Sequence, residues 1–244
     1  MRFLLVDLKR CFTERGFLAS VLCGIFIIAV SMLISLGQGT TDVSKLFISS
    51  HSLILPFIAP ILTALPYSNM NMIEKESKYE VLMLFRQNIK GWEFKRFLTN
   101  GIVSGACLVI PLIILFVACL FMGLDSLINE ILSVILLDFI FGFAFGSLSY
   151  SLTFVNQKKY IPTIAPQVIY LLLIYAFPYL ELELYYPPLC FSPWILPSMA
   201  QPTNINIVLT VIICISLMLV LFGKYKEKIA TRIRFGGKYE KFKI

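Results

Sequence analysis

The sequence predicts an all-α integral membrane protein with six transmembrane helices, led by an amphipathic helix in the membrane interface. Three observations carry this expectation. Of the 244 residues, 58% are hydrophobic and only 14% are charged, against about 25% charged in an ordinary soluble domain. A chain of this size has no single core large enough to hide that much apolar surface, so lipid is the expected solvent. The apolar residues also fall into six runs, each near the ~20 residues that cross the hydrocarbon as a helix. Finally, the cations lie in the gaps between runs and cluster on alternate gaps.

Residues 1–16 come first. Phe3, Leu4, Leu8, Cys11 and Phe12 recur at helical spacing, with Asp7, Arg10 and Glu14 on another side. That pattern suits a helix lying in the interface plane. The run from Phe17 to Leu36 is too long for a signal peptide and lacks a clear cleavage site, so it reads as a retained span. The six spans are expected at 17–37, 50–70, 98–121, 131–154, 161–180 and 205–222. The second contains Pro56, Pro60 and Pro66 and the fifth Pro162, Pro166 and Pro178. Both are expected to be kinked, since each proline deletes a backbone donor.

Orientation follows from the 21 Lys and Arg residues. With the N-terminus inside, all but Lys45 fall in segments 1–16, 71–96, the link near Lys158 and Lys159, and the basic tail 223–244. Positive loops stay cytoplasmic, so both termini are expected there. The net charge of +7 then points to anionic lipid headgroups rather than nucleic acid.

No segment reads as an ATP site. Gly236-Gly237-Lys238 is the nearest to a phosphate-binding loop, and the remainder of that motif is missing. The six cysteines match no metal-binding spacing, and only Cys190 is expected outside, so no disulfide framework is expected. The single histidine, His51, sits at the outer end of the second expected span and reads as a boundary residue. Asp138 is the one carboxylate inside a span. Its cost in lipid turns it toward protein or water, as a proton relay, a contact for a cationic substrate, or a packing hydrogen bond. Gly101 and Gly105, and Gly142 and Gly146, place glycines on one face of the third and fourth spans, which lets helix backbones approach closely.

Segment 71–96 is the most informative. Glu74, Lys75, Glu76 and Lys78 precede an apolar patch containing Tyr79, Leu82 and Phe85, then a turn near Gly91. A short helix of this kind docks into a groove on a partner or lies on the inner leaflet. Segment 181–204 mixes Tyr185, Tyr186, Phe191 and Trp194 with Pro187, Pro188, Pro193 and Pro197. It is expected to form short broken helices dipping into the outer leaflet, where protein or water satisfies the backbone.

Taken in order, these features resemble the permease subunits of type-2 ABC exporters over essentially the whole chain. The local sequence most similar to the family is Glu74 to Phe85, followed by Gln87 to Phe97. The resemblance implies a cytoplasmic coupling helix within 71–96 and re-entrant outer helices within 181–204. It also implies a path shared with a second permease, identical or homologous, and a separate cytoplasmic ATPase that binds the ATP. By the same analogy Glu74, Glu76, Tyr79, Leu82 and Phe85 contact the ATPase, and the chain itself is a transporter subunit rather than an enzyme. The implied setting is a bacterial plasma membrane, with a peptide or bacteriocin, a drug or a lipid-linked molecule as cargo. Two other classes stay open: an ion-coupled carrier using Asp138, and a non-transporting scaffold or assembly protein.

Overall fold

The computed structural model describes residues 2–40, 42–66, 73, 74, 76, 77, 92–123, 128–155, 158, 160–182, 185–191 and 202–240. Among them the regular elements are all helical. They are α1 (Arg2–Thr13), α2 (Arg15–Gly37), α3 (Val43–Ser52), α4 (Leu55–Ala64), α5 (Trp92–Phe121), α6 (Ile128–Val155), α7 (Ile161–Tyr179), a 3-10 helix (Pro187–Phe191) and α8 (Pro202–Glu240). Five helices are long and apolar enough to cross a membrane, and a sixth span is counted if the bent pair α3 and α4 is one.

That pair differs from the expected second span. The chain enters the helix at Val43, seven residues before the anticipated start at 50, because Asp42 caps it by accepting a hydrogen bond from Ser44 N at 3.0 Å. It then bends by 57° between Ser52 and Leu55. Pro56 sits in the first turn of α4, where a missing N–H is harmless, and it bars a helix from continuing through from α3. Pro60 lies inside α4.

In α7 the outcome is different. Pro162 occupies the first turn, while Pro166 and Pro178 lie inside the helix, which is nonetheless continuous from Ile161 to Tyr179. Two further boundaries shift. The third span begins at Trp92 rather than 98, and the last helix carries on from the apolar span through the basic tail to Glu240. Lys, Arg and Glu are good helix formers, and the helix continues even through Gly236 and Gly237, which disfavour it.

Helix α6 is the central post. It packs along α5 and α8 and also meets α4, α7 and the 3-10 helix. Small residues make this possible: Gly142, Ala144, Gly146, Ser147, Ser149 and Ser151 are all buried. Ser149 donates a hydrogen bond to Pro162 O at 2.6 Å, Ser20 of α2 donates to Leu62 O at 2.6 Å, and Gln167 Nε2 donates to Phe57 O at 2.7 Å. Such bonds tie helices together where lipid removes the hydrophobic drive for helix association. The main core joins Phe47, Leu55, Leu112, Phe141, Phe145, Tyr170, Phe191 and Leu209. Large apolar side chains such as Leu22, Phe26, Leu33, Leu172, Met218 and Phe222 point away from it. An exposed apolar envelope on this scale belongs to a chain solvated by lipid.

Candidate functional site

Two polar constellations stand out, one at the foot of α5 and one within the bundle. The first is built where α1 meets the foot of α5. On α1, Asp7, Arg10 and Cys11 share one face, being three and four residues apart, and Asp7 and Cys11 are buried. Trp92 and Arg96 are spaced by four at the start of α5, and the Arg96 guanidinium lies 4.0 Å from the centre of the Trp92 ring. Glu74 enters between these helices, only 2% exposed. Its Oε1 accepts from Arg10 Nη1 at 2.6 Å, and its Oε2 pairs with Arg96 Nη1. Arg96 is itself only 1% exposed. One carboxylate therefore joins α1 to α5.

Burial, and then the neighbouring Asp7 charge, push the Cys11 thiol up to about 12. Since the thiolate is the reactive species, Cys11 is expected to react with a maleimide at pH 8 roughly a thousandfold more slowly than an ordinary thiol. Mass-spectrometric labelling rates of the folded and denatured chain check this. Equal rates in the two states would remove Cys11 from the packed junction.

The expected coupling residues divide here. Glu74 is turned inward, with both carboxylate oxygens engaged by Arg10 and Arg96, while Glu76 is exposed. Tyr79, Leu82 and Phe85 lie outside the described residues. The sequence reading missed Arg10, Trp92 and Arg96 as partners of Glu74. The available signal was the Trp92–Arg96 spacing beside a lone buried-type arginine, but nothing in it named Glu74, 22 residues earlier.

The second constellation lies within the bundle. Asp138 of α6 is fully buried, and its Oδ2 lies 2.7 Å from Nε2 of His51, also fully buried. His51 is thus not the boundary residue its place in the sequence suggested. The earlier start of α3 places it in the last turn of that helix, just before the bend, facing inward. Aromatic rings enclose the pair: Phe47 stacks on His51 with ring centres 6.1 Å apart, Phe191 lies 5.5 Å from His51, and Phe141 lies 4.9 Å from Phe191. Tyr170 of α7 and Cys190 of the 3-10 helix are near enough to Asp138 for their charges to interact. Burial and then the Asp138 carboxylate push the Cys190 thiol well up from its ordinary value. Among the described residues, His51 Nδ1, Asp138 Oδ1 and the Tyr170 hydroxyl have no hydrogen-bond partner.

The four glycines lie where α5 and α6 meet. A Cβ on Gly142 would come 2.8 Å from both Gly105 Cα and Ser104 O, and one on Gly105 would come 2.9 Å from Phe139 O. A Cβ on Gly101 would meet the Phe143 ring, and one on Gly146 the Ser104 side chain. Asn100 Nδ2 adds a buried hydrogen bond to Gly146 O across the same seam.

No group of three or more His, Cys, Asp or Glu placed to hold a metal occurs among the described residues. No protein-family model, curated protein or solved structure matches this chain.

Proposed function

We propose that the chain is the membrane-spanning subunit of an ATP-driven exporter of the type-2 ABC class. In this reading it works with a separate cytoplasmic ATPase and with a second permease, identical or homologous. It sits in a bacterial plasma membrane with both termini in the cytoplasm. The observation that supports the reading is the Arg10–Glu74–Arg96 junction. It fastens the start of segment 71–96, where the ATPase would push, to both the interfacial helix and the third span. A displacement of that segment is then delivered to α5, and through the close α5–α6 seam to the centre of the bundle. Glu76, Tyr79, Leu82 and Phe85 are the residues left to face the ATPase, with Glu74 bracing them from within.

The test is biochemical. The chain is expected to co-purify with a stand-alone ATPase encoded alongside it, and deletion of residues 74–85 is expected to abolish the association. A deleted form that still binds and stimulates the ATPase would remove the coupling role. The buried His51–Asp138 pair favours a second reading, an ion-coupled carrier. Cargo movement into or out of sealed vesicles under a pH gradient, without nucleotide, would select it.

A further inference from the structure

We propose that His51 and Asp138 form a proton-binding site inside the bundle, capped by the 3-10 helix Pro187–Phe191, and that lifting this cap releases one proton. The proposal concerns the pair itself and holds whatever drives transport.

The argument starts from charge. His51 and Asp138 are both fully buried. Apart from Lys45, whose side chain is 75% exposed, the rest of α3 and all of α4 and α7 carry no Asp, Glu, Lys or Arg. The same is true of α5 beyond Arg96, of α6 beyond Glu130 apart from Asp138, and of α8 before Lys224. The other titratable groups facing the pair are the Tyr170 hydroxyl on α7 and the Cys190 thiol on the 3-10 helix, with Tyr186 beside Tyr170. Burial holds the Cys190 thiol protonated and uncharged. The pair therefore has no third charge to balance it, and a net charge in such surroundings is strongly disfavoured.

Neutrality fixes the proton count. With a proton in the Nε2···Oδ2 bridge and a second on Nδ1, the pair is neutral, whether it is written as imidazolium and carboxylate or as imidazole and carboxylic acid. Removing one proton leaves a buried anion, and adding one leaves a buried cation. Closed, the pair holds its bridging proton. Hydrated, the pair is released from that constraint, and water can solvate the carboxylate beside a neutral imidazole, which together hold one proton fewer, so opening in neutral to alkaline solution releases one.

The 3-10 helix is the element placed to control hydration. Phe191 covers His51, and Cys190 faces Asp138. It packs on α4, α6, α7 and α8 without being part of any span. It is a single 3-10 turn, with poorer hydrogen-bond geometry than the α-helices it packs on. The unpartnered Nδ1 and Oδ1 atoms gain partners when water enters, which offsets part of the exposure of Phe191.

Two measurements on the full chain in lipid nanodiscs test this. The chain has one histidine, so ¹⁵N-histidine labelling reports His51 alone. At pH 8 Nδ1 is expected to carry a proton, and a bare Nδ1 in the folded protein overturns the proposal. The second measurement is amide exchange at Leu189, Cys190 and Phe191, as the ratio of the parent to the double variant His51→Gln/Asp138→Asn, which keeps a neutral hydrogen-bonding pair and discards the titratable proton. The ratio cancels the intrinsic pH dependence of exchange. It is expected to rise with pH, by up to about tenfold per unit, since opening releases one proton. A ratio that stays flat from pH 6.5 to 8.5 reduces the pair to a packing contact. The histidine measurement uses the parent alone and decides the matter even if the double variant does not fold.

Discussion

Glu74→Ala is expected to unfold the protein far more readily than any change on its outer surface, with a loss of about 3–5 kcal/mol. The reason is what remains behind. Arg96 is 1% exposed and held under Trp92, and Arg10 comes to the same carboxylate from the other side. Without Glu74, the buried Arg96 guanidinium loses the carboxylate it pairs with, whereas Arg10, whose side chain is 37% exposed, keeps access to water. Removing one member of a buried ion pair is costly mainly because the other charge stays behind without its counter-ion. Glu93 provides the control. It pairs with Lys224 at 2.9 Å, but the lysine side chain is 53% exposed, and such pairs are worth ~1 kcal/mol or less. For a chain of this length each kcal/mol moves Tm by roughly 2–4 °C. Glu74→Ala is therefore expected to lower Tm by roughly 6–20 °C, while Glu93→Ala stays within about 4 °C. Thermal unfolding of the purified variants in one detergent is the measurement. Equal shifts for the two variants would mean that Glu74 is not the tie between α1 and α5.

How much of this was legible beforehand depends on the distance over which each feature is set. The spans were readable because their signal is local. Twenty apolar residues in a row have few places to go, and five of the six predicted stretches overlap one long helix each. The second span was misjudged at its start because apolarity alone marked it from 50, whereas Asp42 sets the helix start by capping it. That error moved His51 from the inside of a helix to its rim. The two charge constellations join residues 64 and 87 apart in sequence, Arg10 with Glu74 and His51 with Asp138. No spacing rule spans such gaps, because the pairing is made by the packing of helices. Asp138 was nevertheless flagged from its cost in lipid. That argument states that a partner is needed without saying which one, and with one histidine in the chain the choice was short. The pairing of Glu74 was missed for the opposite reason. A carboxylate in a loop rich in Lys and Glu looks solvated, and only the fold shows that Arg10 and Arg96 converge on it.

The α5–α6 seam carries the second large effect. Gly142→Leu is expected to prevent the two helices from closing, and Gly142→Ala to destabilise by about 1–3 kcal/mol. Distance and the nature of the obstacle decide this. The first added carbon at position 142 would stand 2.8 Å from Gly105 Cα and 2.8 Å from Ser104 O. Both are backbone atoms of α5, so no rotamer change relieves the contact and the helices have to separate. Separation also stretches the buried Asn100 bond to Gly146 O, which leaves polar groups without partners in surroundings that offer no water. Gly101 is a different case, since the atoms nearest its added carbon belong to the ring of Phe143, a side chain rather than backbone. Gly37 has open space around it, and there alanine is expected to be neutral or slightly favourable. The predicted order of stability is therefore Gly37→Ala, then Gly101→Ala, then Gly142→Ala, with Gly142→Leu failing to yield folded protein on size-exclusion chromatography. If Gly142→Ala proved as stable as Gly37→Ala, α5 and α6 would have to lie farther apart than this seam allows. The rigid connection from Glu74 through α5 to the centre of the bundle would fall with it.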